Sequence, residues 1–455
     1  MTPYLLIDFG TSNTKSAVCD LDTGRLSALT AHPSLPAAAG RPGHHEVPLE
    51  AIRERFVAIC SGCRRDVGAP VAGIVLCSEM HGCAVLDEHD VPLTGFIGWK
   101  DGRCLEAIDG TTTYDLVSGR LGASFQAITG MPPRPGFALL NLVHLGRCGQ
   151  LPARGRVVSL PGWLARVSGD ACGQDHPSLL ASLALYDIRG GTASAEIAAL
   201  VRELTGFTPL LDRPAREGQV AGYWHDGDAR VPIHVGVGDH QCSVLGAGLI
   251  AADAVSINLG TGSQVAVLDS QVDDPTVETR PYFDGHWLQA VTGVPAGRAL
   301  TEFVGFLGEA AGDAADFWDM LAGFDLAQIE RSDLDIDLSI FPGARGYGPG
   351  GAIRGIREGR LTVDNYLASL LRCFAAQYRQ PAEILDPQRR RRRCLLGGGI
   401  ARRLPVLREL IARSTGYQTM PAAAVEESML GLRALALVAA GRAESCAAAR
   451  QRFEA

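Results

Sequence analysis

The residues best suited to chemistry fall in two stretches of one design. Residues 7–12 read IDFGTS and residues 257–262 read INLGTG, each an apolar strand end followed by small residues whose backbone N–H groups can face a phosphate. The first copy carries a carboxylate, Asp8, where the second carries the neutral Asn258. If the two turns grip opposite ends of one polyphosphate, a single carboxylate suffices to hold the accompanying Mg2+, and a second would repel the phosphates. Either copy taken alone is only a hairpin containing Gly-Thr. A third glycine cluster, Gly397, Gly398 and Gly399, follows an apolar run and precedes a helical pattern over residues 401–413, where a flat ring or a phosphate can approach the backbone. A second acidic candidate, Asp239, stands in VGDHQ between a strand and a helix start. From spacing alone it is a helix N-cap before it is a base at a cleft. No GxxxxGK[ST] pattern occurs, so a P-loop is excluded.

These residues need elements to carry them. The opening reads as strand, turn, strand over residues 4–20, with Asp22, Thr23 and Gly24 as a second turn. Further strands are expected over residues 71–77, 233–236 and 394–396, and the echo at residues 257–262 runs into a β-prone stretch over residues 264–268. Helical periodicity marks residues 47–65, 139–145 and 195–204, and apolar positions over residues 351–379 recur at helical spacing. Strands mixed with helices predict an α/β architecture, and the internal repeat predicts two similar lobes.

Composition narrows the class. The 455 residues suffice for two cores, and a formal charge of −8 argues against a nucleic-acid or membrane-surface binder. A run of five arginines at residues 389–393 is the local exception and is expected to be a solvated loop. No leader and no apolar stretch near the membrane-spanning length of ~20 residues is present, which predicts a cytoplasmic protein. The 12 cysteines are scattered, and Cys60 and Cys63 form a lone CxxC in a helical pattern without a second ligand pair, so neither disulfides nor zinc are expected. The 42 basic residues include only two lysines, Lys15 and Lys100, both inside the motifs, where a compact ammonium fits better than a guanidinium if the choice is not a bias of the genome.

Seven segments in order carry a family resemblance: LLIDFGTSNTK (5–15), SEMHG (78–82), GWKDGR (98–103), GVGDHQCSVLGAG (236–248), INLGTGS (257–263), LLGGGIARRLPVL (395–407) and EESMLGLRALAL (426–437). Together they resemble the FGGY family of carbohydrate kinases, within the superfamily of actin, hexokinase and the chaperone ATPases. In WKDGRC, GDHQCSV and the stretch at residues 280–304 the chain looks most like sedoheptulokinases, with xylulokinases as the nearest rival.

The resemblance implies a two-lobed ribonuclease-H-like (actin/hexokinase-like) α/β fold, with residues 1–245 forming the lobe of the sugar and first phosphate segments and residues 246–455 the lobe of the second phosphate and adenosine segments. It implies ATP-dependent transfer to a hydroxyl of a small sugar, a ketose, with xylulose or another pentulose or polyol as the alternative. Asp239 takes the sugar hydroxyl proton and Asp8 orients Mg2+ through water. Gly10, Thr11, Ser12 and Asn13 surround the γ-phosphate. Gly260, Thr261 and Gly262 meet the β-phosphate or its neighbour, and Lys15 either neutralises charge or braces its hairpin. Gly398 and Gly399 lie against the adenosine or serve helix packing.

The sugar is to be met by Glu79, Met80, His81, Asp101, Arg103, His240 and Gln241, with Trp99 as a platform or a packing residue. His81 is otherwise a core histidine, and Asp101 with Arg103 otherwise a structural ion pair. Glu79 stands where many of these ketose kinases have glutamine, which removes a donor and adds a charge. A non-kinase ATPase of the superfamily is the remote alternative, since MHG and WKDGR would serve no purpose there. A homodimer is expected.

Overall fold

The protein is described by a computed structural model covering residues 2–167, 169–270, 277–311, 315–340, 350–420 and 426–453. Two sheets of like design organise it. In the first, strand Pro3–Phe9 pairs antiparallel with Asn13–Asp20 and parallel with Gly73–Ser78. Leu26–Pro33 extends one edge, and Ala229–His234 and Val220–Asp226 extend the other. In the second, Ala254–Leu259 pairs antiparallel with Ser263–Asp269 and parallel with Arg393–Gly397, flanked by Gln418–Met420 on one side and by Trp287–Val294 and Glu278–Pro281 on the other. The repeat thus reappears as two three-strand units with the same pairing pattern. A strand buried on both faces explains why residues 4–7 read as an unbroken apolar run and residues 254–259 as a mostly apolar one.

Most predicted elements are found close to their expected bounds, helices Leu49–Val67, Ala138–Arg147 and Ala195–Thr205 and strand Gly73–Ser78, whereas the strand expected over residues 233–236 lies earlier, as Ala229–His234. In Leu49–Val67 the buried positions Ile52, Phe56, Ile59, Cys60 and Cys63 recur every three or four residues, and Gly68, at φ +74°, ends the helix by donating its N–H to the Arg64 carbonyl. Cys60 and Cys63 are therefore core residues, and all 12 cysteines are free thiols. One expectation needs correction. The helical pattern over residues 401–413 is not one helix but two, Gly399–Arg403 and Leu407–Thr415, because Pro405 lacks an N–H and its ring disfavours a helical residue before it.

Helix Glu427–Ala439 joins the two units. It lies against helix Asp239–Gly246 and against the strands Pro3–Phe9 and Gly73–Ser78 of the first sheet. Tyr4, Leu6, Ala17 and Val75 share one apolar cluster with Met429, Leu432 and Leu435. The approach of the two helices is so close that a Cβ on Gly246 would lie 1.7 Å from the Glu427 carbonyl oxygen, a contact only glycine permits. Among the described residues, no helix is long and apolar enough to cross a membrane.

Candidate active site

The two hairpin turns end at a single crevice. A cavity of about 220 Å3 is lined by Asp8, Gly10 and Lys15 from the first unit, by Asn258, Gly260 and Gly397 to Gly399 from the second, and by Asp239, Arg402 and Glu426 to Ser428 between them. In the first turn the carbonyls of Gly10 and Ser12 are tied back by the Oγ and N–H of Ser34, at 2.7 and 3.0 Å. In the second, the carbonyls of Gly260 and Thr261 are held by the N–H groups of Gly297 and Arg298, at 3.0 and 2.9 Å. With the carbonyls tethered, the tips turn outward: Ser12, Asn13, Thr261 and Gly262 are exposed and border the crevice rather than line it. Such a pair of turns suits a polyanion.

Asp8 sits one residue before the end of its strand, opposite Lys15. It is 6% exposed and its Oδ1 accepts no hydrogen bond, an orphaned buried oxygen inside the cavity wall. Burial raises its pKa above the ordinary carboxylate value, against the opposing pull of Ser428 and Lys15. An unpartnered carboxylate oxygen beside two such turns fits a hydrated Mg2+, an oxygen-seeking cation that keeps most of its waters. Lys15 braces its hairpin: its Nζ donates to Glu426 Oε2 at 2.9 Å. Glu426 lies 3.7 Å from Arg402, which also donates to Glu427 Oε1 at 2.9 Å, and the same oxygen accepts the Gly398 N–H at 3.1 Å. This chain of charges forms the crevice floor.

Asp239 is the first residue of helix Asp239–Gly246, whose N-cap is Gly238. Its Oδ1 accepts only its neighbour's N–H, from His240 at 2.7 Å, so the capping alternative gives way to a carboxylate directed at the crevice. Burial first, then the charges of Asp8 and Glu79, push its pKa up to about 8, with Arg280 pulling the other way. Glu79 is held likewise: burial lifts it to about 7 against Lys100 and a hydrogen bond with Thr11. The site therefore gathers three carboxyls whose mutual repulsion a cation relieves.

The sugar-segment residues divide into two groups. Trp99, 43% exposed, donates its Nε1–H to Thr11 Oγ1 at 3.0 Å, which ties the sugar segment to the first turn. Met80 packs against Gly238, and His81 stacks on Phe137 at 4.6 Å with its Nδ1 3.1 Å from the Ser182 carbonyl. His81 holds a non-glycine residue at φ +72°, local strain of the kind kept at ligand clamps. Burial and Arg280 keep both His81 and His240 neutral, His81 down to about 3. Asp101 and Arg103 face inward instead. Asp101 accepts from His45 N at 2.7 Å and from Arg103 Nε at 2.8 Å, and Arg103 Nη2 reaches Glu46 at 2.8 Å, so both carry the structural ion pair of the alternative reading. Gln241, 0% exposed, donates to the Pro281 carbonyl at 3.4 Å and sits behind the cleft wall.

Sequence reasoning missed Arg280. It comes from the edge strand Glu278–Pro281 of the second sheet, is 4% exposed, and brings Nη1 to 3.3 Å from His240 Nδ1 while Nη2 donates to Glu278 at 2.9 Å. Glu278 also pairs with Arg134. Arg280 faces Asp239, His81 and His240 together. It lay within the stretch that gave the family resemblance, but an arginine on a short edge strand has no spacing signature.

Two mixed sheets of repeated design meeting at a crevice lined with glycine turns and carboxylates define the two-lobed ribonuclease-H-like class. Residues 3–147 match the profile of the FGGY family of carbohydrate kinases, N-terminal domain. A xylulose kinase of Lactococcus lactis subsp. lactis is 26% identical over 289 residues, a stretch spanning 60% of this chain and 55% of that relative. The structure of ligand-bound xylulose kinase from Lactobacillus acidophilus superposes with a TM-score of 0.83 at 16% identity, covering 100% of this chain and 92% of that one. Gluconate kinase from the same organism gives 0.81 at 16% identity, over 99% and 92%. Over residues 3–147 the chain is thus similar to the N-terminal domain of the FGGY carbohydrate kinases, and over its whole length it shares their fold.

Proposed function

We propose that this chain is an ATP-dependent sugar kinase that transfers the γ-phosphoryl group to a hydroxyl of a small ketose. The observation that carries this reading is the convergence of both turns, Asp8 and Asp239 on one crevice. In this reading residues 1–245 supply the sugar floor and first phosphate turn, and residues 246–455 the second turn and the adenosine wall. The turn N–H groups and hydroxyls at residues 10–13 and 260–262 bind the phosphates, and Gly398 and Gly399 border the adenosine. Asp8 would hold Mg2+, which supplies charge compensation on the phosphates when bound. Asp239 accepts the hydroxyl proton as the oxygen attacks, and neutral His81 and His240 with Glu79 and Met80 set the sugar's orientation. Phosphoryl transfer asks the protein chiefly for alignment and charge stabilisation, and this arrangement offers both.

Two substrates compete. The segments at residues 98–104 and 280–304 favour a sedoheptulose-like ketose, whereas the similar xylulose kinases favour a pentulose. Measuring ADP release by the purified chain against a panel of ketoses, pentuloses, polyols and aldonates decides between them. Sugar-dependent release with a preference for the seven-carbon ketose supports the first choice. Slow release indifferent to every sugar overturns the kinase reading and leaves an ATPase.

A further inference from the structure

The arginine run forms the exposed loop expected of it ahead of strand Arg393–Gly397, with Arg391 turned largely inward, and its side chains gather at one place. Arg389, Arg391 and Arg392 line, with Arg379, Arg413 and Tyr417, an open bowl of about 700 Å3 on the second lobe. It lies where strand Arg393–Gly397 begins, whereas the crevice glycines lie where that strand ends, roughly 16 Å further along. The bowl is thus a separate place from the crevice.

Its charges are incompletely matched. Arg379 and Arg389 share a single oxygen, Glu383 Oε1, at 2.9 and 3.2 Å. Arg413 pairs with Glu409 and Glu330, and Arg391 reaches Asp386 at 3.3 Å. Arg392 has no side-chain partner among the described residues. Arg391 is the anchor: its side chain is 10% exposed, its Nη2 donates to the Leu268 carbonyl at 3.1 Å, and its Nε is buried without an acceptor. Arg389 holds φ +51°, and its guanidinium lies 5.5 Å from the centre of the Tyr417 ring. A buried guanidinium donor without a partner, in a concave wall with surplus positive charge, calls for an anion with several acceptor oxygens.

We propose that this bowl is a second binding site, for a small molecule that carries phosphate groups. A phosphate monoester brings nearly two negative charges and three acceptor oxygens, enough for guanidiniums on three different elements. The volume suits a small metabolite. A nucleic acid is disfavoured, because the basic residues line a single bowl rather than an extended track and the chain as a whole carries −8.

The proposal stands apart from the kinase reading and is tested without turnover. Inorganic pyrophosphate is titrated calorimetrically into the whole chain, with and without saturating ADP, for wild type and for the exposed double variant Arg389→Gln, Arg392→Gln. Wild type is expected to bind pyrophosphate with ADP present, and the double variant to bind it at least tenfold more weakly with an unchanged melting temperature. Arg413→Gln, on another helix, is expected to weaken the same event. Loss of all binding once ADP is present, or wild-type affinity in both variants, overturns the proposal. Should ADP itself not bind, the crevice reading fails while arginine-dependent pyrophosphate binding still supports this site.

Discussion

The two units share a backbone plan and differ at two positions that decide their work. In the first, Asp8 faces Cys77 across the parallel strand, and the chain leaves that strand into Glu79, Met80 and His81. In the second, Asn258 faces Gly397 in the same register, and the chain leaves into Gly398 and Gly399. One scaffold thus presents a carboxylate and polar side chains on one side of the crevice, and an amide and bare backbone on the other. A repeat retains its geometry while the chemistry at its strand ends diverges, since strand ends tolerate change that the pleated core does not.

The sharpest way to break this comparison is to remove the acid that stands between the units. Asp239→Asn is expected to lower turnover by about 100- to 10,000-fold while leaving nucleotide affinity nearly unchanged. The same variant is expected to raise the melting temperature, most at pH 8. The folded carboxyl has its pKa raised to about 8, so the folded state holds a proton that the unfolded state releases, and wild-type stability falls as pH rises from about 4 to 8. Near-normal turnover, or a variant less stable than wild type at pH 8, would remove Asp239 from this role.

Making the units alike comes next. Asp8→Asn should reduce turnover by roughly 100-fold and flatten its dependence on Mg2+, as metal titrations would read. The reverse exchange, Asn258→Asp, should weaken nucleotide binding by about tenfold by setting a second carboxylate against the phosphates. If both substitutions are silent, the asymmetry between the units has no chemical meaning.

Glycines offer a finer test. Gly398 has φ +93°, and a Cβ there would lie 2.4 Å from the Leu259 carbonyl, so Gly398→Ala should cost about 1–3 kcal/mol in denaturant unfolding. At Gly399 nothing lies within 4 Å, so Gly399→Ala should keep stability within about 0.5 kcal/mol. Equal losses would contradict this account. The smallest effect is expected from Glu79→Gln. Removing one of the charges that raise Asp239 should move the rising limb of the kcat/KM profile from near pH 8 toward lower pH.

Much of this was legible in the sequence because it rests on local pattern. Each hairpin, with its Asp8 or Asn258, and the glycine turn before residue 400 is written within one short stretch of chain. What escaped depends on contacts between distant segments. Arg280 reaches His240 from the other sheet, and Lys15 meets Glu426 across 411 positions. Asp101 and Arg103 were placed among the sugar residues by their motif, yet their inward pairing with His45 and Glu46 is set by packing that no spacing encodes. The split at Pro405 was readable, and the helical periodicity on both sides masked it.

Helix Glu427–Ala439 completes the core beneath the first strand of the chain. That helix follows Val75 by more than 350 residues and Leu6 by more than 400, so both wait long in synthesis for their covering layer. During synthesis this sheet waits with one greasy face uncovered, so aggregation in the nascent protein should begin at the segment whose cover is made so much later.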